Sequence, residues 1–403
     1  MKKKNGYLKK IFLVIFIVII GIGIYGGFQF WSFIDNVYNE PNIMLEEELL
    51  ENEPINLLFL GIDSNPGRSD TIVLVSYNPS TEKLLGISIP RDTIVDIPGY
   101  YRNTENPYGE QRINHAHAYG GIPLTVKTVE NFLGINIHYH ARVDYSVLHN
   151  FVDLIGGVPL NVPYDMNYTD EAGDLYINLK EGEQTLDGDK AEQFLRWRKN
   201  SDGSGDGLGD IGRVQRQQMF IKAAIKQLMK PTNLLKVNKI EELVSDKVVT
   251  NVPPSNMVGW FKDFAIGFDF DENFEMMTVP GDYSNSGSFW VVSDSDRDQL
   301  NKIIQDHLMP GIESEISIKV YNSTGNNDIV EKTIDRLNKY SFINASFAGD
   351  YEKELPLTEV VSYTENNIAK YVASIVHAQN NVYVGNNNDD ADIVIIIGSD
   401  LVI

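Results

Sequence analysis

The sequence predicts a layered α/β protein, a central mixed sheet flanked by helices, from three observations. Short β-rich apolar runs alternate with amphipathic helical stretches from residue 55 to about 305, a charge-free apolar segment precedes them, and a compact second unit follows from residue 315. INLLFLGI (55–62), TIVLVSY (71–77) and KLLGISI (83–89) are rich in β-branched and aromatic residues and read as buried strands. Apolar residues recur at helical spacing between Pro123 and Leu133 and again from Val214 to Met229, where Phe220, Ala224 and Leu228 share a face. The second unit, 315–403, runs ISIKVYNST (316–324), a helical stretch from Asp328 to Tyr340, FINASFA, VVSYTE, a helix from Asn366 to Gln379 and the terminal ADIVIIIG (391–398). That order, β-α-β-β-α-β, predicts a small α+β domain. It lacks a concentration of Arg or His and a Gly-rich phosphate loop, so an accessory, non-catalytic role is expected.

Ile11 to Ile34 carries no charged residue over 24 positions. As a helix it would extend about 36 Å at about 1.5 Å per residue, enough for a hydrocarbon core of about 30 Å. Lys2, Lys3, Lys4, Lys9 and Lys10 precede it, and Asp35, Glu40, Glu46, Glu47 and Glu48 follow. The positive-inside rule then predicts a cytoplasmic tail (1–10), a transmembrane helix (11–34), a juxtamembrane stalk (35–54) and an extracytoplasmic catalytic domain (55–305). The apolar run exceeds the usual h-region of a cleaved signal peptide, about 7 to 15 residues, which favours an uncleaved anchor in the cell membrane.

A formal net charge of −22 disfavours nucleic-acid partners, because affinity for phosphate backbones comes from Lys and Arg. An anionic ligand would need a local basic pocket, and nine of the eleven arginines lie between residues 68 and 216. Arg is suited to bidentate phosphate recognition, although surface ion pairing is the simpler alternative. The absence of cysteine excludes disulfides, zinc–thiolate sites and thiol catalysis.

The chemistry-bearing motifs follow the predicted strands. Asp63 ends the first strand and the second begins just after Asp70, in GRSDT (67–71), so two carboxylates share one inter-strand loop. Magnesium takes one or two protein carboxylates and fills its other positions with water and phosphate oxygens, which suits such a pair; manganese would fit the same ligands. The structural alternative is that Asp63 caps a turn and Asp70 pairs with Arg68. PRDT (90–93) places Arg91 and Asp92 after the third strand, at the same end of the sheet, where an Arg beside a metal can stabilise phosphoryl charge. QRINHAHAYGG (111–121) adds Arg112, FLRWRK (194–199) adds Arg196 and Arg198, and GRVQRQQ (212–218) adds Arg213, Arg216 and Gln217. Arg213 and Gln217 are four apart, on one helical face near a helix N-terminus where anions are favoured; the simpler alternative is a solvated basic helix end, for Arg216 in particular. The pairs His115/His117 and His138/His140 lack accompanying ligands at a recognised metal spacing, and His115 and His117 are expected in the pocket wall. DGSGDGLGD (202–210) opens like a calcium loop, but its twelfth position is Arg213 rather than Glu.

The ordered series NLLFLGID, GRSDT, SIPRDT, RINHAHAYGG, TVENFLGI, DLIGGVPL, LDGDKAEQFLRWR and GRVQRQQ resembles the LytR-CpsA-Psr (LCP) family, from the anchor to about residue 230. The C-terminal unit resembles the accessory domain found after the catalytic domain in some members. The resemblance implies an enzyme that transfers a phosphate-linked glycopolymer, such as teichoic acid or capsule, from a polyprenyl-pyrophosphate carrier to a muramic acid hydroxyl of peptidoglycan. It implies that Asp63 and Asp70 hold magnesium and that Arg91 grips the pyrophosphate. Arg68, Arg112, Arg196, Arg198, Arg213 and Gln217 match the remaining phosphate positions. Arg112 stands where many relatives have Lys, and only six residues separate Asp63 from Asp70. Asp63 or Asp92 would accept the proton of the attacking hydroxyl. The lipid needs an apolar slot, expected between the sheet and the helices at 123–133 and 214–229. A pyrophosphatase using water in place of the acceptor, and a non-enzymatic wall-polymer-binding or regulatory membrane protein, are the competing readings.

Overall fold

The computed structural model describes residues 54–62, 69–100, 111–144, 147–171, 175–205, 207, 210–228, 230–234, 248–253, 268–284, 286–308, 315–363, 366–378, 381–385 and 391–401. The expected tail, membrane helix and nearly all of the stalk lie outside the described residues, as do Asp63 and Arg68. Among the described residues no helix is long and apolar enough to cross a membrane.

The three expected strands form an antiparallel meander: β1 (Ile55–Ile62), β2 (Ser69–Asn78) and β3 (Lys83–Ile89), with Leu60 opposite Ile72 and Ile72 opposite Ile89. The short strands β4 (Ile94–Val95) and β5 (Gln111–Arg112) pair with each other and lead to helix α1 (His115–Leu133). β6 (Tyr139–Asp144) returns beside β1, and α2 (Leu148–Leu154) follows. Two small antiparallel ladders come next, β7 (Val158–Val162) with β10 (Gly182–Leu186), and β8 (Met166–Asp170) with β9 (Leu175–Leu179). Helices α3 (Gly188–Arg196), α4 (Asp210–Leu228) and α5 (Pro231–Leu234) precede β11 (Val248–Thr250), the short helix α6 (Phe270–Asn273) and β12 (Phe274–Thr278). β13 (Asp282–Tyr283), β14 (Trp290–Val291) and α7 (Asp294–Leu308) complete this part of the chain.

The main sheet has the order β11-β6-β1-β2-β3-β12 and is mixed, as expected. Because β2 is antiparallel to both neighbours, β1 and β3 run the same way; β6 is parallel to β1 and β12 to β3. Four strand carboxyl ends therefore gather at one edge together with the start of β2, the usual place for a ligand on an open α/β sheet.

The helical spacing read from Pro123 to Leu133 is the second half of α1. Gly120 and Gly121 leave helical geometry, Gly121 with φ +62°, and Pro123 sits where the helix restarts and its missing N–H costs nothing. The helix stops at Gly134, φ +69°, whose amide bonds Glu130 O at 2.8 Å. A side chain there is barred twice, by the left-handed backbone and by Ser374, whose Cβ would lie 2.4 Å from an added Cβ.

That contact belongs to the second unit, whose order is β15 (Ser317–Asn322), α8 (Asn327–Lys339), β16 (Asn344–Asp350), β17 (Glu359–Ser362), α9 (Asn366–Ile375), β18 (Val382–Val384) and β19 (Ile393–Ile397). The expected β-α-β-β-α-β order gains one three-residue strand, β18, on the edge of a five-stranded sheet. The unit shares a core with the first: Leu58, Leu60, Ile72 and Leu74 from the main sheet, Val129 and Leu133 from α1, Tyr371 and Val372 from α9, and Ile318 and Ile395 form one buried cluster. Polar contacts lock the seam. Lys370 Nζ lies 3.4 Å from Glu130 Oε2, with both side chains under a tenth exposed. Tyr371 OH donates to Asn301 O at 2.9 Å across it, and on the first unit's side Arg297 donates to Phe132 O at 2.6 Å and stacks on the Phe132 ring. Asp298 accepts from Arg336 at 3.1 Å and from Tyr340 OH at 2.6 Å.

Among the described residues the α1 side of the sheet is thus filled by core packing. On the opposite face Val75, Tyr77 and Met276 meet Ile225 of α4 and remain only partly buried.

His138 and His140 flank the start of β6. The Asn56 amide donates to His138 Nδ1 at 3.0 Å, so that nitrogen must stay unprotonated, and His140 is 3 % exposed. Burial first, then the nearby cations Lys370 and Arg142, push both imidazoles from 6.5 down to about 4. A depressed folded-state value means stability that is complete above pH 6.5 and is lost as the pH falls toward 4, together on the order of a few kcal/mol. Urea midpoints between pH 7.5 and 4.5 are expected to fall, and less so in a His140→Leu variant.

Candidate functional site

The turn after β3 builds the centre of the site. Thr93 N and Thr93 Oγ1 both bond Pro90 O, at 2.9 and 2.6 Å, so Arg91 and Asp92 occupy the turn's two corners. Ile113 N donates to Thr93 O and Asn114 N to Arg91 O, which fastens the segment carrying Arg112 to the same turn. Trp290 N donates to Asp92 O at 2.9 Å and brings β14 alongside.

Four predicted residues meet there. Arg91 Nη1 lies 2.6 Å from Asp70 Oδ1, while its Nε is 3.6 Å from Asp92 Oδ2, an ion pair too long for a hydrogen bond. Asp92 Oδ1 is 3.3 Å from Arg112 Nη1. The result is an alternating row, Asp70, Arg91, Asp92, Arg112. Arg91, Asp70 and Arg112 keep about a third of their side chains exposed, whereas Asp92 keeps 15 %. Asp92 therefore faces guanidinium groups with both oxygens and serves first to orient them. Asp70 pairs with Arg91 across the strand ends.

Arg112 has further supports that sequence reasoning missed. It donates to Ser288 O at 3.2 Å and lies 5.0 Å from the centre of the Phe289 ring, a cation–π contact. The aromatic run SFWVV (288–292) was a local signal for a buried strand, but nothing in it specified a partner 176 positions away. His115 bonds Gln111 Oε1 at 3.1 Å and Tyr119 OH donates to the same oxygen, while His117 is 9 % exposed. Both histidines stand at the beginning of α1, beside the wall they were expected to form.

A second basic group sits on α3 and α4. Trp197 is fully buried, so its neighbours Arg196 and Arg198 remain at the surface. Arg216 is 2 % exposed, which removes the solvated alternative for it. It donates to Trp197 O and to Tyr164 OH, each at 2.7 Å, and stacks 4.6 Å from the Trp197 ring. Arg216 thereby fixes the RWR segment to α4. On the same helix Arg213 and Gln217 are half-buried one turn apart. Gln218 donates to Thr278 Oγ1 at 2.8 Å, and Thr278 is the register partner of Ser88, three residues before Arg91. The first half of α4 thus lies at the same sheet edge as the Asp70–Arg112 row.

Among the described residues no cluster of three His, Asp or Glu forms a metal cage. Asp70 nonetheless offers the hard oxygen donor magnesium prefers, partly exposed at a strand end and with Oδ1 alone bonded to Arg91.

An open α/β sheet whose carboxyl edge carries ordered arginines interleaved with aspartates has the chemistry suited to phosphorylated ligands. The chain belongs to the LytR_cpsA_psr family, whose model matches residues 35–306; the model described as LytR cell envelope-related transcriptional attenuator matches 315–401. It is 30 % identical over 323 residues to a polyisoprenyl-teichoic acid–peptidoglycan teichoic acid transferase, TagU, of Bacillus anthracis, covering 76 % of this chain and 99 % of that protein. TagV of Bacillus subtilis, described in the same words, is 28 % identical over 316 residues, covering 74 % of this chain and 77 % of its own. The crystal structure of B. subtilis TagV superposes with TM-score 0.53 and 28 % identity, covering 64 % of this chain and 98 % of that one. TagT bound to LI-WTA superposes with TM-score 0.50 and 27 % identity, covering 66 % and 94 %.

Proposed function

We propose that the chain is a glycopolymer–peptidoglycan phosphotransferase, moving a phosphate-linked anionic polymer from a polyprenyl-pyrophosphate carrier to a peptidoglycan hydroxyl. The observation that carries this reading is the Asp70–Arg91–Asp92–Arg112 row at the sheet's carboxyl edge. The relatives' activity as teichoic acid transferases supports the reaction class and makes teichoic acid the leading polymer.

The acceptor oxygen attacks the polymer-side phosphorus, a P–O bond forms, and the bond to the lipid phosphate breaks, leaving polyprenyl phosphate. Arg91 and Arg112 hold the pyrophosphate oxygens, and the Asp92 carboxylate between them keeps the two forks aimed together. Arg196, Arg198, Arg213 and Gln217, with Arg68, supply further phosphate contacts. Asp63 or Asp92 would take the hydroxyl proton, Asp92 from a place beside both guanidiniums. Asp63 and Asp70 would hold a divalent cation, magnesium or manganese, which when bound neutralises phosphate charge. Catalysis is then mainly positioning and charge stabilisation.

The polyprenyl chain is assigned to the α4 side of the sheet, between Val75 and Met276 and the half-buried Ile225. The apolar segment 11–34 anchors the chain, with its site on the outer side of the membrane where lipid-linked wall precursors are presented. A radiolabelled lipid-linked polymer incubated with peptidoglycan tests the reading: label is expected in the peptidoglycan fraction, dependent on Arg91 and on divalent cation. Label released only as free polymer phosphate would mark a hydrolase instead.

A further inference from the structure

We propose that His149 and Glu192 form a proton-sensitive pair that positions Arg196 and sets its strength as a phosphate ligand; the inference rests on the transfer reading above. Arg196 Nη1 is bonded to Glu192 Oε1 at 2.8 Å, one helical turn away on α3. The other oxygen of Glu192 lies 2.7 Å from His149 Nε2, and His149 Nδ1 lies 2.9 Å from Asp189 Oδ1. A phosphate-site arginine is therefore wired through one carboxylate to an imidazole.

The wiring is held by backbone packing. α2 and α3 approach so closely that a Cβ on Gly188 would lie 2.6 Å from the His149 Cα, and Gly188 N donates to Asp153 Oδ1 at 2.9 Å. The charged groups facing His149 are Asp189 and Glu192 from α3, with Arg196 behind Glu192; Asp153, a turn further along α2, is directed to the Gly188 amide. A neutral imidazole has one N–H and can donate to one carboxylate, whereas the imidazolium donates to both. Burial draws the His149 imidazole down, but hydrogen bonds and charge from Glu192 and then Asp189 outweigh it and leave it above its ordinary 6.5.

When His149 is protonated it neutralises Glu192, and Arg196 presents its full positive charge to a phosphate. When His149 is neutral, Glu192 both retains the guanidinium and repels the anion. Donor affinity contributed by Arg196 thus falls as pH rises through the titration of His149. A single charge a few ångströms from a solvent-exposed phosphate changes affinity about three- to tenfold at moderate salt.

The test is calorimetric binding of geranylgeranyl pyrophosphate to the full chain in detergent between pH 6 and 8.5. Wild type is compared with His149→Gln, Glu192→Gln, Arg196→Ala and Arg91→Ala, and each is taken as a ratio to wild type so that the ligand's own titration cancels. His149→Gln is expected to bind about fivefold more weakly than wild type at pH 6 and to converge on it as the pH rises. Glu192→Gln is expected to bind about fivefold more tightly than wild type at pH 8.5, and Arg196→Ala to remove the dependence on His149. A His149→Gln ratio near one across the whole range, with Arg91→Ala still weakening binding, overturns the relay alone. Binding indifferent to Arg91 overturns the pyrophosphate site itself.

Discussion

Replacing Arg91 with alanine is expected to lower polymer transfer about 10²–10³-fold, the usual effect of removing one preorganised donor to developing charge. Folding should change little. Arg91 and its partner Asp70 are each about a third exposed, so the Asp70 carboxylate can be solvated when the guanidinium is gone. Asp92 retains Arg112 at 3.3 Å. Lysine at 91 restores charge but not the planar fork that reaches Asp70 while addressing phosphate, and is expected to recover only a small part of the activity. Initial rates with lipid-linked polymer and peptidoglycan fragments, beside thermal unfolding curves, separate the two effects. An Arg91→Ala enzyme with near-normal rate would remove the centre of the site.

The largest expected effect on stability lies far from that row. In Lys370→Ala, Glu130 stays buried and charged at the seam between the two units, with only the Ile137 amide, 3.0 Å from Oε1, still bonded to it. Breaking a buried ion pair by deleting one partner costs about 3–5 kcal/mol. Adding Glu130→Gln is expected to recover much of this, because glutamine keeps an acceptor for Ile137 N and removes the unpaired charge. Since the core is continuous through Val129, Tyr371 and Ile395, urea unfolding of both units should shift together. A shift confined to a C-terminal transition would show that the units fold independently.

What the sequence disclosed followed physical range. β1, β2 and β3 were legible because each is a short apolar run bounded by turn residues. Asp70, Arg91, Asp92 and Arg112 were legible because they directly adjoin strand ends, where topology alone gathers them. β7 to β10 are harder to see: β8 and β9 do place Asn167, Thr169 and Asn178 at exposed alternate positions, but each strand is only five residues long, too short a run for the period to stand out. β18, three residues long, has no periodicity to detect.

The burial of Arg216 was not legible because one turn of helix looks the same whether an arginine meets water or Trp197; only the fold distinguishes them. The shared core was hidden for a related reason. Glu130 lies in TVENFLG, part of the stretch with helical spacing, where nothing local marks a glutamate as buried, and its partner Lys370 is 240 positions away. The support given to Arg112 by Ser288 and Phe289 is likewise a long-range product of β14 crossing the Asp92 turn.

The proposed role of the Asp70, Arg91, Asp92 and Arg112 row is transfer of a polymer to peptidoglycan. The most direct measurement is phosphorus NMR and mass analysis of muramic acid recovered after incubating the full chain with lipid-linked teichoic acid and peptidoglycan. A phosphodiester joining polymer to muramic acid is expected, formed in parallel with release of polyprenyl phosphate and lost in Arg91→Ala. Polymer phosphate released into solution with no new phosphodiester on muramic acid would contradict it.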